Sequence, residues 1–196
     1  MKKVLLLLLT IVSLVSCSEK EPISGTDEVN YYISSYFIPQ RIAFTTTVSR
    51  NGSFYLLLNT DNHRISQKEN PAEFKKLAKE YGETGEKIFR LWHPPVSQPY
   101  NILKIKVYKK QNGKMTDVSE QSGIGYSDYS KFVLSKYSGE DFIPTSKKIS
   151  ELTAHDLKWL PERFSISPPT EKEGEYYLVI TLESGKELSV HLKEKP

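Results

Sequence analysis

A second cysteine is missing: Cys17 is the only one among 196 residues. No disulfide can therefore form within the chain, and a hydrophobic core has to hold the fold. Also missing is an apolar run long enough to cross a membrane. The stretch from Val4 to Val12 falls short of the roughly 20 residues that span hydrocarbon, and Ser13, Ser16, Glu19 and Lys20 soon follow it. Charge of one sign is absent too, with 27 basic against 24 acidic residues and lysines mixed among glutamates, so nucleic acid is not an expected partner.

The signatures of catalysis are equally sparse. His63, His93, His155 and His191 stand apart from one another and from Cys17, so neither a metal nor a cofactor is expected. His155 and Asp156 are sequence neighbours, which points their side chains apart on a helix. Ser122-Gly123-Ile124-Gly125 carries two glycines but neither a nucleophile elbow nor the lysine of a phosphate loop. The acids Glu140-Asp141 and Glu171/Glu173 sit in polar stretches where solvation accounts for them. A hydrolase or metalloenzyme is the weakest of the functional alternatives.

What is present begins at the N-terminus. Lys2 and Lys3 precede the apolar run, the order of a secretory signal. Ser18 to Glu28 then stays polar, with too little apolar surface to offset ordering, as in a tether.

Leu14-Val15-Ser16-Cys17 resembles the lipobox of bacterial lipoproteins. The resemblance implies cleavage after Ser16, a diacylglyceryl group on the Cys17 sulfur and a third acyl chain on the new amino terminus. One acyl chain binds a bilayer reversibly and several hold it firmly. Serine after the cysteine is similar to the outer-membrane form of the sorting rule, and the following acids, interrupted by Lys20, are similar to the surface-export signal of Bacteroidota lipoproteins. Loss of residues 1–16 removes Lys2 and Lys3 and no acid, leaving 25 basic against 24 acidic residues. The expected organisation is a signal peptide at 1–16, a lipidated tether at 17–29 and one β-rich domain at 30–196.

Three segments in that domain read as hairpins. Arg41 to Val48 and Phe54 to Leu58 flank Asn51-Gly52, and Asn112-Gly113 breaks the stretch from Asn101 to Val118. Asn-Gly favours a type I′ turn because both central residues take positive φ. Leu103, Ile105 and Val107 alternate with Lys104, Lys106 and Tyr108, giving one buried and one wet face. Tyr176 to Leu182 turns at Ser184-Gly185 and returns through Leu188, Val190 and Leu192, with His191 on the wet face. One helix is predicted over 71–81, opened by Asn70-Pro71 and closed by Gly82, with Phe74, Leu77, Ala78 and Tyr81 on its inner face. A shorter turn over 153–160 carries Thr153 and Asp156 at capping-box spacing. Residues 127–137 satisfy neither the helix nor the strand period.

Strand-rich alternation calls for a second layer. The expected fold is mainly β: an antiparallel two-sheet sandwich, of which the immunoglobulin-like arrangement is one form, with the helix inserted; α+β is the alternative. The aromatic surplus, 12 Tyr, 8 Phe and 2 Trp, either fills the core or forms a ligand platform. For the platform the candidates are Trp92, Tyr31, Tyr32 and Tyr36. The functional expectation is a lipid-anchored, non-catalytic binding or structural module at the outer membrane. Its partners would be the membrane, through Cys17, and a glycan or an envelope protein.

Overall fold

A computed structural model describes residues 31–48, 52–61, 63–83, 85, 96–135, 143–169 and 174–193. Among these described residues twelve strands run in the order β1 (Ile33–Phe37), β2 (Arg41–Val48), β3 (Phe54–Asn59), β4 (Ile65–Ser66), β5 (Val96–Pro99), β6 (Ile102–Gln111), β7 (Lys114–Asp117), β8 (Gly123–Asp128), β9 (Ile143–Lys148), β10 (Arg163–Ser167), β11 (Glu175–Leu182) and β12 (Glu187–Leu192). Between them lie α1 (Pro71–Glu80), α2 (Ser130–Leu134) and α3 (Ala154–Lys158).

The sandwich is there. A five-stranded sheet ordered β2-β3-β10-β8-β9 and a four-stranded sheet ordered β12-β11-β6-β7 are both antiparallel throughout. Lettered in chain order without β9, these sheets read A-B-E-D and G-F-C-C′, the strand order of an immunoglobulin-type Greek key. One core lies between the sheets. Leu56 and Leu58, Phe164 and Ile166, and Ile124 point inward from one sheet, Ile105, Val107, Leu178, Ile180 and Leu188 from the other. From Tyr176 onward β11 alternates between buried and half-buried positions, because a period of two sends successive side chains to opposite faces.

The turns follow their chemistry. Asn112 (φ 52°) and Gly113 (φ 76°) both take the left-handed conformation between β6 and β7. Gly52 has φ 70° between the paired strands β2 and β3, while Asn51 lies outside the described residues. Between β11 and β12, the Gly185 N–H donates to the Leu182 carbonyl and the Leu182 N–H to the Lys186 carbonyl, the three-residue form in which a left-handed glycine closes the turn. Pro99 and Pro144 lie in β5 and β9, each paired on one side only, where a missing N–H breaks no ladder.

Two features depart from expectation. Leu103, assigned to the inner face, is 58 % exposed. The β6–β11 register shifts between the pairs Thr181–Lys104 and Leu182–Ile102, so a bulge sends Ile102 inward in its place. Asn101, just before the bulge, has φ 62°.

The second departure is a third sheet, β4-β1-β5, in which β1 runs parallel to β5 and antiparallel to β4. It has its own core, made of Tyr32, Ile33, Tyr36, Phe74, Leu77, Ala78, Tyr81, Phe132, Val133 and Trp159. α1 supplies the expected apolar stripe to it, with Pro71 in its first turn and Tyr81 as C-cap. The undecided stretch from Ser127 divides into the end of β8 and α2. β1 joins the two cores, since Tyr36 points into the second and Phe37 into the first.

Candidate binding surfaces

The proposed aromatic platform does not form as drawn. Tyr32 and Tyr36 are each 0 % exposed, packed on Phe132 (ring centroids 4.7 Å) and on Phe74 (5.5 Å) and Tyr81 (5.2 Å) respectively. The reason is topological: pairing with both β4 and β5 makes β1 the central strand of the small sheet, and α1 and α2 bring apolar residues to the same core. Tyr31 is half-buried, its ring edge-on to Phe74 at 4.9 Å. Trp92 and Cys17 lie outside the described residues.

Another aromatic row does reach the surface. On the outer face of the four-stranded sheet, the register sets Tyr177 opposite both His191 and Tyr108, and Tyr108 opposite Asp117. The Tyr177 and His191 rings stack at 4.6 Å with 13° between their planes. Parallel rings on neighbouring strands stand side by side, so they present polar edges to solvent. Tyr177 Oη donates to Glu175 Oε2 at 2.8 Å, which raises the phenol pKa and lowers that of the carboxyl. Lys106 lies 5.7 Å from the Tyr108 ring centroid and is paired with Asp117 at 2.5 Å. Burial pushes the Asp117 carboxyl up, but hydrogen bonds from Lys106 and Ser119 outweigh it and bring its pKa to about 2. This row was legible in the wet-face alternation of β6, β11 and β12; only register was needed to align it.

The bulge creates a second surface. Leu103 and Leu157 line two adjoining grooves of 690 Å³ and 480 Å³. The larger runs past Lys104, Asp117 and Glu120 to Ile149 and Leu152. The smaller is walled by Leu77, Tyr81 and Tyr100.

The most concentrated polar cluster is structural. Thr153 and Asp156 form the expected capping box at α3. Asp156, 4 % exposed, also accepts from Tyr126 Oη at 2.7 Å and Lys147 Nζ at 2.6 Å. Burial raises its pKa, yet the bonds from Lys147, Thr153 and Tyr126 outweigh that and hold the carboxyl well below the usual range. Desolvation first, then the hydrogen bond to Asp156 and its charge, raises the Tyr126 pKa. Two of its four acceptor contacts, from Tyr126 and Lys147, fasten α3 to β8 and β9, and two, from the Thr153 N–H and Oγ1, close the cap of α3 itself, which leaves no open coordination for a substrate. At the other end of α3, Gln98 Nε2 donates to the Lys158 and Leu160 carbonyls, supplying partners that a helix terminus lacks.

His155 projects to solvent while Asp156 is buried, as neighbours on a helix must diverge. Its Nε2 lies 3.3 Å from Ser130 Oγ, but Ser130 is only 3 % exposed. Among the described residues no group of three or more His, Cys, Asp or Glu is placed to hold a metal ion, and no helix is long and apolar enough to cross a membrane. No family model, curated protein or solved structure matches the chain.

Proposed function

We propose that the chain is a lipid-anchored, extracytoplasmic β-sandwich domain that binds or supports a partner at the outer membrane. One observation carries the reading: Lys2-Lys3, the apolar run and Leu14-Val15-Ser16-Cys17 occur in the order that export and lipidation require, ahead of a polar stretch. A core closed by apolar side chains alone, without disulfides, fits a mature protein whose single thiol serves as the attachment point.

The test is Cys17→Ala. The wild type should take up labelled fatty acid and float with membranes in a density gradient, and the variant should do neither. A variant that still floats, or a wild type without label, would sink the reading.

A second reading, glycan recognition, draws on the half-exposed Tyr108–Tyr177–His191 row, where ring edges with hydrogen-bonding groups line up across three strands. Sugars take both hydrogen bonds and apolar contact from tyrosine at small entropic cost. Tyr177→Ala should then remove binding on a glycan panel while leaving the fold intact. Binding that survives this change and disappears with Trp92→Ala would return the site to Trp92.

A further inference from the structure

We propose that α1 is the face this domain lays against an anionic lipid surface, with Lys75, Lys76 and Lys79 contacting headgroup phosphates. The inference rests on the lipid-anchor reading and adds which side of the domain meets the bilayer.

The first support is where the chain enters the domain. Glu83, just past the C-terminal end of α1, is 4 % exposed, and its Oε1 accepts from the backbone N–H groups of Tyr32 (2.9 Å) and Ile33 (3.0 Å). The Tyr31 ring meets Phe74 of α1 edge-on. The start of the domain is thus fastened to α1 at both ends of the helix's buried stripe. The residues from Cys17 to Asn30 reach at most roughly 50 Å even when fully extended. An anchor at Cys17 therefore holds the α1 end of the domain within roughly 50 Å of the bilayer. β6 begins beside α1, where Tyr100 and Ile102 share a groove with Leu77 and Tyr81, and its ten residues carry the chain roughly 30 Å away to the Asn112–Gly113 turn.

The second support is the charge on the helix. At 100° per residue, Lys75, Lys76 and Lys79 fall within one arc centred on Ala72, opposite the buried Phe74, Leu77 and Ala78. All three are exposed, and none forms an ion pair or hydrogen bond among the described residues. Glu73 and Glu80 stand on one flank of the ridge, leaving its crest basic. In a protein whose mature charge is nearly balanced, an uncompensated lysine crest at the tethered end complements phosphate. Lysines that come within a Debye length of an anionic surface are attracted individually, and a tether that confines the domain near the bilayer raises their effective concentration there, so that a weak site becomes effective.

The full-length acylated protein is reconstituted into vesicles of phosphatidylcholine, with or without phosphatidylglycerol, that carry a lipid-borne quencher. A fluorophore is placed on Ala72→Cys or, as the distal reference, on Lys114→Cys. In phosphatidylglycerol vesicles the Ala72 probe should be quenched several-fold more than the Lys114 probe. That difference should collapse without the anionic lipid, in ~1 M salt, where the Debye length is about 3 Å, and in the variant Lys75→Glu/Lys76→Glu/Lys79→Glu. Equal quenching at the two sites, or quenching indifferent to lipid charge, overturns this inference while the protein still floats with the vesicles. A chain that does not float at all overturns the anchor reading and this inference with it.

Discussion

Replacing Asp156 with alanine should destabilise the domain by about 2–4 kcal/mol. Its side chain is 5 % exposed and accepts from Tyr126 Oη, Lys147 Nζ, the Thr153 N–H and Thr153 Oγ1. Without it the buried Tyr126 hydroxyl loses its acceptor, at a cost of about 1–3 kcal/mol, and α3 loses its capping box, about 1 kcal/mol more. The ion pair contributes less, because the Lys147 side chain is 36 % exposed and its ammonium can turn to water. Lys147→Met should accordingly cost under about 1 kcal/mol. The assay is equilibrium denaturation of all three proteins under identical conditions. Acid adds a second signature. Since folding lowers the Asp156 pKa, its contribution is fully present above the unfolded value near ~3.9 and is lost as pH falls below it. The gap between wild type and Asp156→Asn should then narrow from about pH 5 downward. An Asp156→Ala change within about 0.5 kcal/mol of wild type, or a Lys147→Met change larger than it, would refute the reasoning.

The bulge predicts that Leu103→Ala alters stability by no more than about 0.5 kcal/mol, whereas Ile105→Ala, two residues on and 4 % exposed, costs about 2–4 kcal/mol by the same denaturation assay. Gly113→Ala should cost about 1 kcal/mol from its positive φ alone, as no atom lies within 4 Å of the added methyl; a much larger loss would mean the turn is packed. Tyr36→Ala should cost about 3–5 kcal/mol as a core truncation. Tyr177→Ala on the open sheet face should leave the denaturation midpoint nearly unmoved.

Much of the sandwich was legible because its signals are local. β11 and β12 alternate cleanly, Asn112-Gly113 can hardly be anything but a tight turn, and Thr153 and Asp156 carry their capping geometry in their spacing. The third sheet was not legible, since β1 pairs with β5 across the span from Ile33 to Val96 and no short window contains both partners. For the same reason the sequence leaves Tyr32 and Tyr36 open between core and platform: Tyr-Tyr-Ile-Ser-Ser-Tyr-Phe is half polar, and the arrival of α1 and α2 buries its rings. Leu103 misled in the opposite direction. It keeps the alternation that β6 shows on paper, but the bulge beside Asn101 adds a residue and turns it outward. Each member of the Tyr108–Tyr177–His191 row could be placed on a wet face by alternation, but that the three lie side by side follows only from the strand register.

Intact-mass spectrometry of the protein extracted from membranes tests the central claim most directly. The account predicts a mature chain that begins at Cys17, lacks residues 1–16 and carries the added mass of a diacylglyceryl group and an amide-linked acyl chain. Those additions should disappear in Cys17→Ala. A chain that retains residues 1–16, or one cleaved elsewhere with an unmodified Cys17, would contradict it.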